Sequence, residues 1–206
     1  MSNDAVIFGY SGHAYVVIEI LMANKYRMLG YYDREQKEKN PFNINYLGAE
    51  ADEFAIEKIK NCNAFIGIGN NKIRADIFKK LIQSNIPCPT VAHHNSIVSP
   101  SVQIGSGTII MAGAVVNTMA KIGNAVICNT SSVIDHECMV GDYVHIAPGA
   151  VLAGNVTIGN NTFIGGNSVI KQGITIGADV IIGAGSVVLK DVANGLTIYG
   201  NPAKER

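Results

Sequence analysis

The stretch Ile158-Gly-Asn-Asn-Thr-Phe-Ile164-Gly-Gly-Asn-Ser-Val-Ile170 places an isoleucine at every sixth residue. This register extends from Val98 to Val188 without an insertion, and only Cys128 among its positions is not Val, Ile or Leu. A second period, three hexapeptides long, separates five glycines: Gly105, Gly123, Gly141, Gly159 and Gly177. A solenoid accounts for so long a register, because each repeat buries its side chain against the repeat one coil away.

The fold predicted for this part is an all-β, triangular, left-handed parallel β-helix of hexapeptide repeats. Three short strands and three turns make one coil, and the aliphatic residue of each hexapeptide points inward. Glycines and asparagines such as Gly123-Asn124 and Gly159-Asn160-Asn161 suit turns that need a positive φ. Since no long loop leaves the register, an active site has to use the faces of the prism, its corners or other subunits.

Charge divides the chain into two parts. Residues 1–95 contain 21 charged side chains, whereas residues 96–206 contain 11, together with 16 of the 22 glycines. We therefore predict one domain over residues 1–95 and a second over residues 96–206. Neither part is basic enough to indicate a nucleic-acid partner.

The N-terminal part alternates strands with helices, which predicts a small, Rossmann-like α/β domain. Apolar runs predict strands at Ala5–Phe8, Met28–Tyr32 and Ala64–Ile68. Helical patterns cover about Ala14–Asn24, Asp52–Lys60 and Lys72–Ser84, and Leu47–Ala51 leads into the second of them.

Ligands of parallel sheets bind at the carboxyl ends of the strands. These ends carry Gly9-Tyr-Ser-Gly-His13, Asp33 and Gly69-Asn70-Asn71. The first loop opens a helix, whose free N–H groups favour an anion. It does not have the GxGxxG pattern of dinucleotide sites, so a sugar nucleotide is the better guess. The alternative is that Gly9 and Gly12 only make a tight turn, and that Asp33 only caps the loop.

Polar residues are rare in the prism, and the most polar stretch is Asn129-Thr-Ser-Ser-Val-Ile-Asp-His-Glu-Cys138. His136 and Glu137 follow the inward Ile134 and should lie at a corner, facing out. His145 precedes the inward Ile146 and should lie on an outer face. Histidine can act as a general base at neutral pH, and a neighbouring carboxylate can orient it, for which Glu137 and Asp135 are the local candidates. The alternative is that all three side chains are merely solvated.

The remaining features exclude several classes of protein. The apolar N-terminus lacks a basic region and a cleavage site, and no apolar run is long enough to cross a membrane. The four cysteines lack CxxC spacing, which favours reduced thiols in a cytoplasmic protein. The two prism histidines lack the spacing of a metal site. Outward aliphatic residues indicate that the prism faces are covered by closed three-fold association, with active sites between subunits: Ile109, Val115, Val133, Ile181 and Val187.

The whole chain resembles the hexapeptide-repeat acyltransferases, and specifically the sugar acetyltransferases with a Rossmann-like N-terminal domain. Within that group it is most similar to the UDP-4-amino-sugar N-acetyltransferases of bacillosamine synthesis, then to sialic acid O-acetyltransferases and perosamine N-acetyltransferases. The segments that carry the resemblance are Phe8-Gly-Tyr-Ser-Gly-His13, Ile66-Gly-Ile-Gly-Asn-Asn-Lys-Ile-Arg74, the stretch 129–138, His145 and Tyr199-Gly-Asn-Pro-Ala-Lys204.

The resemblance implies a role for each matching residue. His136 would be the general base for the sugar amine and Glu137 would orient it, while His145 would donate to the acetyl carbonyl or contact acetyl-CoA. Asn129 would contact the sugar near the reacting nitrogen. The UDP-sugar would be held by Gly9, Ser11, Gly12, His13, Asp33, Gly69 and Asn70. Gly154, Gly166 and Gly185 would line the pantetheine groove, and Pro202 and Lys204 would lie near the adenosine phosphates. Acetyl-CoA would be a co-substrate, and neither a tightly bound cofactor nor a metal is implied.

Three alternatives compete with N-acetylation. Transfer to a hydroxyl of sialic acid or a related sugar would use the same base, but its acceptor carries a carboxylate. Few basic residues flank the glycine loop, Arg34 and Arg74 being the nearest, which favours the amino sugar. A relative of γ-class carbonic anhydrases would need a third histidine, and an inert scaffold would not need the glycine loop.

Overall fold

The computed structural model describes residues 3–49 and 59–205. The chain forms two compact units, Met1–Val91 and Ala92–Arg206. No helix among the described residues is long and apolar enough to span a bilayer.

Over residues 3–49 and 59–91, the first unit contains a four-stranded parallel sheet and two helices. The strands are β1 (Asp4–Phe8), β2 (Arg27–Tyr32), β3 (Asn45–Gly48) and β4 (Asn63–Ile66), in the order β3-β2-β1-β4. Helix α1 spans Gly12–Ala23 and α2 spans Asn71–Gln83. The Rossmann-like prediction is confirmed, although β3 was missed where the sequence suggested only a lead into a helix. The predicted helix at Asp52–Lys60 falls almost entirely outside the described residues.

The second unit is the left-handed parallel β-helix, built from strands of two residues up to a longer hairpin at its C-terminal end. Strands of successive coils pair in parallel, for example Ile134 with Leu152. One sheet has five strands and another has six. The third has eight, because it begins at Val91–Ala92 and ends with an antiparallel hairpin of Thr197–Gly200 and Ala203–Glu205.

The solenoid strands form three columns, one per sheet. Neighbours in a column are three strands apart in the chain, except at the C-terminal end of the first column. The first contains β5 (Val91–Ala92), β8 (Ile109–Ile110), β11 (Ile127–Cys128), β14 (His145–Ile146), β17 (Phe163–Ile164), β20 (Ile181–Ile182), β22 (Thr197–Gly200) and β23 (Ala203–Glu205). The second contains β6 (Ile97–Val98), β9 (Val115–Val116), β12 (Val133–Ile134), β15 (Val151–Leu152), β18 (Val169–Ile170) and β21 (Val187–Val188). The third contains β7 (Gln103–Ile104), β10 (Lys121–Ile122), β13 (Met139–Val140), β16 (Thr157–Ile158) and β19 (Thr175–Ile176).

The inward positions form one continuous apolar core. From Ile110 to Val188 all of the sixth residues are at most 5% exposed, and Cys128 fits among them as a small apolar side chain. The core explains why the hexapeptide register tolerates no interruption, since a shift of one residue would turn every inward side chain outward.

The glycines that recur once per coil mark a corner where successive coils approach closely. A Cβ built on Gly123 would lie 2.6 Å from the carbonyl carbon of Gly141 and 2.7 Å from the backbone nitrogen of Asp142. The side chain of Asp142 accepts the N–H of Asn124 at 2.7 Å, and Asn160 does the same for Asp142 at 2.9 Å. Glycine at these positions therefore leaves room for the backbone of the next coil. The expected positive φ is not at Gly123 or Asn124, but at the next residue, Ala125.

Candidate functional site

His136 and Glu137 occupy the turn between β12 and β13, where the sequence predicted them. Nδ1 of His136 lies 3.0 Å from Oε2 of Glu137, and the two side chains are 44% and 55% exposed. Glu137 has a φ of 60°, a left-handed conformation that glutamate rarely adopts. The equivalent positions in the next coils are Asn155 and Gly173, residues that favour this conformation. Met119, at the same position of the preceding coil, has a φ of 62°, so this conformation belongs to the repeated turn and does not by itself mark a functional site.

The backbone of this turn is fixed by Asp135, which the sequence analysis offered beside Glu137 as a partner of the imidazole. Oδ1 of Asp135 accepts the N–H of His136 at 2.7 Å, and it also accepts Nδ2 of Asn117, one coil earlier, at 2.8 Å. These two hydrogen bonds lower the pKa of Asp135 below its usual value. The ionised carboxylate therefore ties the start of this turn to the preceding coil.

Gly154 stands one coil after His136, at the equivalent turn position. Its N–H donates to no acceptor among residues 3–49 and 59–205, although the residue is buried. The difference from His136 follows from the preceding residue, because Ala153 has no side-chain oxygen where Asp135 has one. An N–H without an acceptor among the described residues that lies next to a histidine is a candidate donor to a ligand.

Asn129 and His145 form a pair that the sequence analysis had treated as two separate contacts. Nδ2 of Asn129 lies 3.0 Å from Nε2 of His145. His145 precedes the inward Ile146 in β14 and therefore points outward, but it is only 8% exposed. The edge of its ring meets Phe163, with centroids 5.1 Å apart. His145 therefore fits the outer-face prediction, and the alternative in which its side chain is merely solvated does not fit.

The other residues assigned to acetyl-CoA lie further along the solenoid. The N–H of Gly185 donates to the carbonyl of Gly166 at 2.8 Å, so these two glycines are stacked in consecutive coils. Pro202 and Lys204 line a cavity of about 400 Å³ together with residues 188–192. Gly166 and Gly185 do not line that cavity, so the structure separates the four residues into two locations.

The glycine loop of the first unit borders a cavity of about 500 Å³, lined by Tyr10, Ser11, Gly12, Tyr15 and residues 35–39. Gly9 has a φ of 89°, and a Cβ there would lie 2.6 Å from the side chain of Ile68. Ser11 is the N-cap of α1 without a side-chain capping bond, which leaves its hydroxyl available. The loop and the cavity lie at the carboxyl ends of the strands, as predicted.

Asp33 is committed to the backbone of two loops. One carboxylate oxygen accepts the N–H of Tyr10 at 2.8 Å, and the other accepts the N–H of Arg34 at 2.7 Å. Nζ of Lys37 also lies 3.1 Å from the carboxylate. Asp33 thus shapes the wall of the cavity, which fits the capping alternative as well as it fits contact with a ligand.

Arg74 is a feature that the sequence could not reveal, because it is charged yet only 1% exposed. Its Nη1 donates to the carbonyls of Ile68 and Gly69, at 3.1 and 3.0 Å. Asn70 caps α2 by accepting the N–H of Ile73 at 3.0 Å. The loop Gly69-Asn70-Asn71, which was predicted to bind substrate, is therefore held by the guanidinium of Arg74 and by the N-cap of Asn70 on α2.

His13 lies in the same region and is partly buried. Burial lowers its pKa from 6.5 to about 4, and the nearby charge of Arg74 contributes. The imidazole is therefore neutral at physiological pH. Over the described ranges, no group of three or more His, Cys, Asp or Glu side chains could hold a metal ion.

The comparisons with known proteins agree with this arrangement. The PglD N-terminal domain family matches residues 4–81, and the bacterial transferase hexapeptide family (six repeats) matches residues 155–190. A variant of perosamine N-acetyltransferase from Caulobacter crescentus, in complex with CoA and GDP-perosamine, is 33% identical with a TM-score of 0.93. That match covers 98% of this chain and 96% of the other.

A second solved structure is the acetyltransferase domain of PglB from Neisseria gonorrhoeae FA1090, in complex with acetyl coenzyme A. It is 31% identical with a TM-score of 0.93, and the match covers 100% of both chains. The chain belongs to the acetyl-CoA-dependent, hexapeptide-repeat sugar N-acetyltransferases. WeeI from Acinetobacter baumannii AYE shares the architecture, at 26% identity and a TM-score of 0.88 over 98% of this chain and 99% of WeeI. A comparison with curated protein sequences gave no match.

In this sugar N-acetyltransferase the turn after β12 brings an imidazole and a carboxylate together, and the sequence identified both of them. It missed Asn117, and it named Asp135 only as a carboxylate that could orient the imidazole, whereas these two residues fix the backbone of that turn. The signal that could have found Asn117 is its position three hexapeptides before Asp135, since that spacing makes two residues neighbours in a β-helix. The same spacing relates His136 to Gly154, which the sequence had assigned only to the pantetheine groove.

Proposed function

We propose that this sugar N-acetyltransferase moves the acetyl group of acetyl-CoA to the amine of a UDP-linked 4-amino-4,6-dideoxy sugar, of the bacillosamine type. The observation that carries the proposal is the contact of 3.0 Å between His136 and Glu137, beside the free N–H of Gly154. Related proteins bind acetyl coenzyme A or CoA with a nucleotide-linked amino sugar, which supports the substrate class.

His136 is the proposed general base. If Nδ1 carries its proton toward Glu137, Nε2 has the lone pair that removes a proton from the attacking amine. Glu137 then stabilises the imidazolium that forms. A thioester is already an activated acyl donor, so the remaining requirement is to hold the two substrates together and stabilise the charge on the carbonyl oxygen.

The N–H of Gly154 is the proposed donor to that oxygen. It is buried, preorganised and without an acceptor among the described residues, as a group that stabilises a developing oxyanion should be. Such a donor typically contributes a factor of about 10² to 10³ to turnover. His145, paired with Asn129, is the second polar group that we assign to the acetyl carbonyl and the sugar, and Gly166, Gly185, Pro202 and Lys204 stay assigned to the rest of acetyl-CoA.

Transfer is proposed to be direct, in a ternary complex. The two cysteines of the solenoid are fully buried, and burial raises the pKa of Cys128 to about 12 and that of Cys138 above its usual value. A thiol that remains protonated is a poor nucleophile, so neither is suited to form an acetyl-enzyme. Mass spectrometry that trapped acetyl on either thiol during turnover would contradict this step.

The cavity lined by Ser11 and Gly12 is the proposed site of the sugar nucleotide. His13 and the loop at Gly69-Asn70 do not line it, and they stay assigned to the substrate by the resemblance alone. O-acetylation of sialic acid is the alternative, and its acceptor brings a carboxylate. Arg74 is 1% exposed and already bonded to Ile68 and Gly69, so it is not placed to receive one. Residues 35–39 of the cavity wall include two lysines and two glutamates, so the charge of the cavity does not separate the two acceptors, and the acceptor panel does.

The assembly is proposed to be a homotrimer, because the solenoid has one uniformly aliphatic outer face. Its outward residues are stacked one coil apart: Ile97, Val115, Val133, Val151, Val169 and Val187. The third sheet instead presents Gln103, Lys121, Met139, Thr157 and Thr175. Ile109, which was also predicted to cover an interface, is only 2% exposed within the single chain and cannot serve as one.

A substitution on each face tests the trimer. Val133→Lys should shift the molar mass measured by light scattering from three chains toward one, because a charge in an apolar interface is not compensated. Thr157→Lys, on the polar face, should leave the mass at three chains. A wild-type mass of one chain would refute the assembly.

Release of the CoA thiol, measured with acetyl-CoA and a panel of acceptors, tests the activity. The panel contains UDP- and GDP-linked 4-amino sugars, free sialic acid and CMP-sialic acid. Turnover with a UDP-linked amino sugar supports the proposal, and turnover with sialic acid alone overturns it. His136→Ala should lower turnover by about 10² to 10⁴-fold, and an unchanged rate would remove the base assignment.

A further inference from the structure

The imidazole of His136 lies directly against a glycine of the next coil. A Cβ built on Gly154 would stand 2.5 Å from both Cε1 and Nε2 of the ring, and 3.2 Å from Nδ1. These three atoms of His136 are the nearest heavy atoms to that Cβ. The solenoid register explains the contact, because the N–H of Asn155 donates to the carbonyl of His136 at 2.8 Å and brings the two turns together.

The backbone of Gly154 does not itself require glycine. Its φ is not among the positive values of the solenoid, whereas Gly173 and Gly185 have φ of 73° and 67° and open space around them. Glycine at those two positions serves the conformation of the turn. Glycine at position 154 serves the space that the ring of His136 occupies.

We propose that Gly154 is a positioning residue for His136, because only a hydrogen at that place lets the ring lie where Nδ1 meets Glu137. This inference rests on the proposed role of His136 as the base. The backbone of His136 is held by Asp135, which accepts its N–H at 2.7 Å and is itself bonded to Asn117 at 2.8 Å. A methyl group at position 154 would therefore rotate the ring away rather than move the chain. The positioning role uses the missing Cβ, and it is independent of the N–H, which alanine retains.

Gly154→Ala should lower kcat by about 10²-fold, since a displacement of about 1 Å of a reacting group has that effect. The KM values for acetyl-CoA and for the amino sugar should stay within about two-fold. Gln172→Ala, one further coil along the same column and exposed, is the matched control and should leave kcat unchanged. A Gly154→Ala enzyme with the wild-type kcat would overturn the inference.

The double variant separates positioning from a merely structural role. In a His136→Ala background, Gly154→Ala should change kcat by less than about two-fold, because the group that it displaces is gone. A full additional loss of about 10²-fold there would refute positioning through the ring. If Gly154→Ala fails to fold, the double variant should fold as stably as His136→Ala, because the clash is with the ring alone. An unfolded double variant would equally contradict the inference.

The same variants distinguish a failure of this inference from a failure of the proposed function. His136→Ala that turns over at the wild-type rate removes the base, whatever Gly154→Ala does. His136→Ala that is strongly impaired, together with additive effects of the two substitutions, preserves the base and removes only the role of Gly154.

Discussion

His13 should make the stability of the protein fall at mildly acidic pH. Its pKa is about 4 in the folded chain, because burial and the charge of Arg74 oppose protonation, and about 6.5 when the chain is unfolded. Between these values the unfolded chain binds more protons than the folded chain. Lowering the pH through this window therefore favours unfolding, and raising it toward 7 restores stability.

The size of the effect follows from the two pKa values. At pH 7 both states are mostly neutral, whereas at pH 5 the unfolded imidazole is mostly protonated and the folded one is not. The expected loss of unfolding free energy between pH 7 and pH 5 is about 2 kcal/mol, and it approaches about 3 kcal/mol near pH 4. A loss of this size is a considerable part of the stability of a typical domain.

Urea unfolding followed by far-UV circular dichroism measures this loss, since the chain contains no tryptophan. His13→Gln cannot titrate, so the wild type should show this additional loss of unfolding free energy between pH 7 and pH 5 and the variant should not. Other acidic groups act equally on both proteins and cancel in the difference. An NMR titration of the imidazole gives a second readout that does not depend on the unfolding mechanism. Equal slopes for the two proteins, or a His13 midpoint near the unfolded value, would refute the reasoning.

Two further substitutions have opposite expected effects on stability. Glu137→Asn should raise the unfolding free energy by up to about 1 kcal/mol, because asparagine tolerates a φ of 60° better than glutamate does. The same substitution should lower kcat, because it removes the carboxylate from His136. A variant that is both less stable and fully active would contradict these expectations. Gly123→Ala should lower the unfolding free energy by about 1 to 3 kcal/mol, since its Cβ would meet the next coil at 2.6 Å. Gly12→Ala has open space and should show no such loss in thermal unfolding.

The solenoid could be predicted almost completely, because its fold is encoded in one repeated spacing. Side chains at the inward positions decide the register, and nothing distant in the sequence competes with a neighbour one coil away. The N-terminal unit was predicted less completely from the sequence. Strand β3 was missed because its few residues show no clear alternation of apolar and polar side chains. Its boundaries depend on pairing with β2, which is a contact between different segments.

The site was predicted in its residue types more fully than in its contacts. His136 and Glu137 are conspicuous in an apolar solenoid, and their contact was considered from adjacency alone. The pairing of Asn129 with His145 depends on the turn geometry after β11 and β14. The burial of Arg74 depends on the loop folded over it, and the sequence of an amphipathic helix does not indicate that one charged residue is enclosed.

The uninterrupted register also constrains how this enzyme can change. In this solenoid, residues of successive coils contact each other when they are about one coil apart in the sequence, as Asn117 and Asp135 are. Loss of a single residue between Glu137 and Gly154 would misalign the corner and also exchange inside for outside in the coils that follow. Gain of one whole coil at the same place would keep the core intact and place a different residue beneath His136. The protein can therefore lengthen by whole coils, whereas Glu137 and Gly154, the two residues next to His136, have to keep their separation in the sequence.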